Sequence, residues 1–241
     1  MRESSLTLIF EDVDAKAAAM ASQNSKKGIK DEKDISSESI IQRGAGQALT
    51  ELANKFGSQL FDKVPKLWEC LTSFKDFVDV SNDISVEKGQ EIVDSFTVLR
   101  MVTESVDRSL HEKLIHLTPL VTQAVKSKYA VIRYASGKSL ATLCKFITSQ
   151  SMLRIIEDIV PLIGDSSNIY NRQGAIESIQ HIVNALDIDI LPYVLFLIVP
   201  ILGRVSDADD NVRRLATSTF ATLVKLVPLE VSLIHISMEC Y

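Results

Sequence analysis

From Val212 onward, apolar residues return along the chain in steps of three and four: Val212, Leu215, Ala216, Phe220, Leu223, Val224 and Val227. That spacing lines them along one face of a helix, with polar residues on the other. The stripe recurs 80 residues earlier as Ile132, Ser136, Leu140, Leu143, Cys144 and Ile147. It recurs 41 residues earlier as Ala175, Ile179, Ile182, Val183 and Leu186. A weaker copy, 171 residues upstream, is Ala45, Leu49, Leu52, Ala53 and Phe56. Arg213 falls on Arg133 and Arg172 in the two better copies.

Each striped helix is preceded by another with its own marker. "VPLIG" at 160–164 matches "VPILG" at 199–203, and "TPL" at 118–120 holds the same place. Pro65 in "DKVPKLWECL" extends the series Pro119, Pro161, Pro200. A proline inside a helix removes a backbone hydrogen bond and bends it, so a bend at one depth of every first helix is expected. The pattern predicts nine helices, at 41–56, 58–72, 87–107, 109–126, 129–147, 150–163, 168–186, 188–204 and 210–227. The Val86–Arg108 pair fits the stripe less well, and the phase of its second helix stays open. Helix pairs repeating about every 40 residues resemble HEAT and armadillo arrays. One pair cannot bury its apolar face alone, so pairs stack. The expected fold is all-α, an α-solenoid over residues 39–230. A flexible, charged and Ser-rich segment is expected at 1–38, a polar loop at 79–87 and an atypical tail at 231–241.

Composition agrees with packed helices. Apolar residues make up 46% of the chain, yet aromatics only 6%, and there are 9 glycines. A net charge of −5 leaves no general nucleic-acid footprint. Cys70, Cys144 and Cys240 have no metal-ligand spacing and point to a reducing compartment. Glu11, Asp12 and Asp14 close behind "LTLIF" do not fit a signal peptide. The most apolar run, "IDILPYVLFLIVPILG", carries Asp189 and two prolines. It reads as a helix buried on most sides rather than as a membrane span.

Candidate chemistry is sparse. Asp207, Asp209 and Asn211 match the first, third and fifth places of a calcium loop. The sixth and twelfth places need glycine and glutamate but hold Val212 and Ser218, so no metal site is expected. Asp207 or Asp209 instead suits a helix N-cap. Arg213 sits one turn inside the helix, where it can reach a neighbouring pair's turn. "GKS" at 137–139 lacks the upstream glycine of a phosphate loop, since Ile132 stands there. "RGAGQ" at 43–47 follows no strand and reads as close helix packing. His111, His116, His181 and His235 form no ligand set, and no nucleophile–base–acid set emerges. Trp68 reads as core rather than as a partner's anchor. Catalytic, cofactor and metal residues are therefore expected to be absent.

Longer stretches carry a more particular resemblance. These are "DILPYVLFLIVPILGRVSDADDNVRRLATSTFATLVKLVPLE", "RQGAIESIQHIV", "AVIRYASGKSLATL" and "KGQEIVDS". They resemble the TATA-binding-protein-associated Swi/Snf-type ATPases over about residues 40–230. The resemblance implies the C-terminal part of a HEAT-repeat region, just before the ATPase, in a nuclear regulator that strips TATA-binding protein from promoters. It implies that Arg133, Arg172 and Arg213 join Asp207 and Asp209 in a ladder between repeats. It also implies TATA-binding protein and the cognate ATPase as partners, with DNA reached only indirectly and no membrane. No phosphate-binding loop or helicase box is present, so ATP belongs to the full-length family and not to this chain. The alternative is a HEAT adaptor of nuclear transport or chromosome organisation. After Glu230, "VSLIHISMECY" departs from the family. An uncapped apolar end there would make the isolated chain self-associate.

Overall fold

A computed structural model describes residues 37–73 and 84–227. The expectations for 1–36, for most of the polar loop at 79–87, for 231–241, and for His235 and Cys240 lie outside these residues. All regular structure within the described residues is helical. Five unbroken helices form one layer. They are α1 (Ser37–Phe56), α4 (Val86–Ser105), α7 (Ala130–Phe146), α10 (Ile169–Leu186) and α12 (Asp210–Leu226). Each packs on the next in that order.

Between them run four segmented stretches that form the second layer. The first joins α2 (Leu60–Lys63) to α3 (Pro65–Thr72). The next passes from a 3-10 turn at Arg108–Leu110 into α5 (His111–Ile115) and α6 (Thr118–Val125). The third links α8 (Thr148–Arg154) through a π turn (Ile155–Ile159) to α9 (Val160–Ile163). The last passes from a 3-10 helix (Asp187–Tyr193) into α11 (Val194–Leu202). Each stretch packs on the long helix that follows it: α3 on α4, α6 on α7, α9 on α10 and α11 on α12. This regular succession of pairs is an α-solenoid.

The core lies between the layers. The stripes supply it: Ile132, Leu140, Leu143 and Cys144 from α7, Ala175, Ile179, Ile182 and Val183 from α10, and Val212, Ala216 and Leu223 from α12 are all buried. The open phase of 86–105 resolves in the same way, with Ile92, Phe96, Leu99 and Val102 turned inward. Burying each such side chain contributes roughly 1.5–3 kcal/mol. Trp68 is half-buried, its ring centroid 4.9 Å from that of Phe61. Gly57, at φ +49°, turns the chain out of α1.

Two sequence readings change. Pro65, Pro119 and Pro161 stand in the first turn of a new helical segment, and only Pro200 lies inside a helix. A first-turn proline lacks an N–H that would be unpaired anyway, so Pro65 and Pro119 begin segments, whereas Pro161 follows the π turn within one continuous helical run over 148–163. The second change is a correction. The run 188–204 is not buried on most sides. Val194, Leu197 and Ile201 face the core, but Leu195, Phe196, Val199 and Leu202 face outward. The reason is positional: no further described pair lies beyond α11. Ile169–Leu202 is long and apolar enough to cross a membrane by length and composition alone. It is divided, however, between the two layers, and Asp187 at φ 50° joins the halves.

Candidate functional site

The turns that lead into α7, α10 and α12 carry the densest polar chemistry. Each receives the arginine one turn inside the following helix. Arg133 Nη1 donates to the carbonyls of Ser127 and Lys128, both at 3.0 Å. Arg172 Nη1 donates to Asp165 O at 2.8 Å. Arg213 Nη1 donates to Asp207 O at 2.8 Å and Ala208 O at 2.9 Å. Each guanidinium thus closes its own turn, satisfying carbonyls that would otherwise be left to solvent. For Arg213 the reach to a neighbouring pair's turn is not what the geometry shows. It folds back on its own, and also pairs with Asp210.

Links between pairs come from Arg172 and Gln173. Arg172 Nη2 donates to Asp207 Oδ1 at 3.2 Å, and its Nε stands 3.1 Å from Oδ2. Their side chains are only 10% and 3% exposed. Arg204 joins from the other side, with Nη1 3.3 Å from Oδ2. Gln173 accepts from Arg133 Nη2 at 3.1 Å and donates from Nε2 to Asp209 Oδ1 at 3.2 Å. A row Arg133–Gln173–Asp209 therefore ties three successive pairs together, with Arg172–Asp207 beside it. Asp209 also caps α12, accepting from Val212 N at 2.9 Å, and Asp207 accepts from Asp209 N at 3.0 Å.

Electrostatics follow the contacts. Burial disfavours an ionised Asp207, but the Asp209 N–H, Arg172 and Arg204 outweigh it and hold its carboxyl below the usual range. Asp165, bonded by Ser167, Asn171 and the Asn168 N–H, is held lower still. With two arginines on Asp207 and a helix N-terminus on Asp209, these carboxylates are engaged in the turn rather than turned out toward an ion. Among the described residues no group of three or more His, Cys, Asp or Glu is placed to hold a metal.

The remaining candidates lie apart. Gly137 of "GKS" sits mid-helix in α7, where a Cβ would meet Ser178 Oγ at 3.1 Å. Of the "RGAGQ" glycines, Gly44 has open space beside it and Gly46 only ordinary contact with Met101 at 3.8 Å, so close packing is not its role. His111 is half-buried and His116 exposed on the outer layer. His181 packs edge-on to Tyr134 at 4.9 Å. Burial, then the charges of Lys138 and Arg100, push its pKa down to about 4. Burial likewise pushes the Cys144 thiol up, which keeps it inert. Gln173 and Gly174 were not singled out by sequence. Gln173 aligns with Tyr134 and Arg214 in the neighbouring copies, so the repeat gave no signal for it.

Comparison with known proteins agrees with this architecture. The family described as "XMAP215/Dis1/CLASP, TOG domain" matches residues 45–236. A domain of unknown function (DUF3535) matches residues 2–70. Among curated relatives, TATA-binding protein-associated factor mot1 of Aspergillus fumigatus is 44% identical over 79% of this chain. Its namesake in Schizosaccharomyces pombe is 41% identical over 80%. TATA-binding protein-associated factor 172 of Homo sapiens is 32% identical over 79%. The chain spans only about a tenth of the length of each of these relatives. With stacked helix pairs, matched TOG-domain residues and this run of relatives, the chain belongs to the TATA-binding-protein-associated factor family, as a stretch of its helical repeats.

Proposed function

We propose that the chain is a non-catalytic scaffold within an ATP-dependent transcription regulator that removes TATA-binding protein from promoter DNA. In this reading it forms the C-terminal part of the repeat region, acts in the nucleus, and braces the ATPase against the rest of the array. The identity to TATA-binding-protein-associated factors, 44% to 32% from fungus to human, carries the proposal. The polar row between pairs supports it physically. Arg172–Asp207 and Arg133–Gln173–Asp209 resist sliding of one pair against the next, which suits a brace. In this reading ATP is left to the ATPase, and DNA is reached only through it.

The test is a binding and turnover experiment with purified components. The chain is expected to bind the cognate ATPase region and to hydrolyse no ATP itself. TATA-binding protein should be retained only when the longer array is present. Failure to bind the ATPase region, together with binding to a karyopherin or a condensin subunit, would replace this reading with that of an adaptor. Hydrolysis by the purified chain would remove the word scaffold.

A further inference from the structure

Charge is sorted unevenly among the long helices. The chain carries a net charge of −5. Yet α7 holds Arg133, Lys138 and Lys145 and no acidic residue, while α10 and α12 hold only Glu177 and Asp210 between them. Arg133, Arg172 and Arg213 are engaged at the turns. Lys138 and Lys145 are not, and they stand two helical turns apart on one side of α7. Arg100 reaches the same place from α4. Ser139, next to Lys138, donates from Oγ to the Phe96 carbonyl at 3.2 Å, and Arg100 lies one turn beyond Phe96. Among the described residues no carboxylate comes within ion-pair distance of Arg100, Lys138 or Lys145. The two lysines meet aromatic faces instead, with Lys138 Nζ 4.4 Å from the Tyr134 ring centroid and Lys145 Nζ 5.9 Å from that of Phe146. On the α10 side the His181 ring packs over Gly137, where a Cβ would meet its Cδ2 at 3.2 Å. Burial, then the charges of Lys138 and Arg100, keep that ring neutral. Both cations thus act on one place without a counter-charge beside them. Arg100 and Lys138 are also half-buried, so an anion brought to them is screened less than at an open surface.

We propose that this side of α4, α7 and α10, centred on Lys138, docks an acidic segment of a partner protein, with Arg100, Lys138 and Lys145 as its cationic contacts. Charge complementarity selects the occupant. A carboxylate can take two hydrogen bonds from the Arg100 guanidinium and meet each ammonium as a point charge. Nucleic acid fits less well. So few cations neutralise few phosphates, and the chain's overall negative charge opposes a polyanion. Glu104 and Glu177, one turn from Arg100 and from His181, flank the patch. A peptide can set its carboxylates between those two glutamates, whereas a phosphate chain is charged at every step and runs across them. The surface stands apart from the polar row at the turns and does not depend on which domain the array braces.

Fluorescence anisotropy on the full chain tests this, with a labelled oligoglutamate peptide and a labelled single-stranded oligonucleotide of equal charge as probes. The peptide should bind at low salt and the oligonucleotide more weakly. Arg100→Glu with Lys138→Glu should weaken peptide binding about ten-fold or more. Arg100→Gln with Lys138→Gln, which removes the charges without reversing them, should weaken it about three-fold or more, and a thermal melt shows that each variant is folded. Lys66→Glu with Lys113→Glu makes the same charge change at exposed places on the second layer and should leave binding unaltered. Equal losses in the two reversed pairs would reflect net charge alone and overturn the proposal. So would no peptide binding at low salt, or an oligonucleotide held more tightly than the peptide, which would assign the face to nucleic acid.

Discussion

Gly174 is held to glycine by its surroundings. A Cβ on it would stand 1.9 Å from the carbonyl oxygen of Val125, at the end of α6, with Arg133 Cδ at 3.0 Å. Backbone lies opposite, so no rotamer change relieves the clash. Gly174→Ala is expected to cost about 3 kcal/mol or more by overpacking, read as a lower denaturation midpoint. At Gly44, which faces open space, alanine should instead stabilise by about 0.5–1 kcal/mol. Equal effects at the two sites would refute this reading of the packing. Nothing in the sequence separates the two glycines, because Val125 approaches Gly174 from a distant part of the chain. The arginines were legible for the opposite reason: Arg133, Arg172 and Arg213 recur in register with their stripes.

Among the elements, the long helices were legible and the segmented ones only in outline. A stripe of period 3.6 repeats in α7, α10 and α12, whereas a proline reads alike in the first turn and in the middle of a helix. The exposure of α11 was illegible because hydropathy reports what a helix carries, not what lies opposite it. The turn into α12 is the element whose energetics are most specific. Asp207→Ala removes the partner of a buried arginine and is expected to cost about 3–5 kcal/mol. Arg213→Ala loses two bonds to its own turn, from a half-exposed site, and should cost about 1 kcal/mol. A double-mutant cycle of Asp207→Ala with Arg172→Met should return a coupling of about 1–3 kcal/mol. Additive losses would remove the tie between pairs. Calcium should leave the melting temperature of the unaltered chain unchanged, and a rise would revive the metal reading.

At the scale of the whole molecule, His181 and Asp207 are among the groups that make the stack sensitive to acid. His181 is kept neutral by burial and by Lys138 and Arg100, with a pKa of about 4 against about 6.5 in the unfolded chain. Between those values the unfolded state binds a proton that the fold refuses. Stability is whole above about pH 6.5 and falls as pH drops toward 4. Asp207, held low by its bonds, adds a loss only below about pH 4, where its unfolded form takes up a proton. Denaturant midpoints from pH 7 to pH 4 should therefore fall, and His181→Gln should flatten that slope by about 2–3 kcal/mol over the interval. An unaltered slope would remove His181 as the cause. The interrupted second layer bears on how such a stack gives under load. Its interruptions and changes of helix type, at Val64, Leu117, the π turn and Tyr193, all fall in that layer, while the helices opposite run unbroken. The assembly is jointed along one side and sparred along the other. A force passed through it should change its curvature at those joints before it disturbs the opposite side.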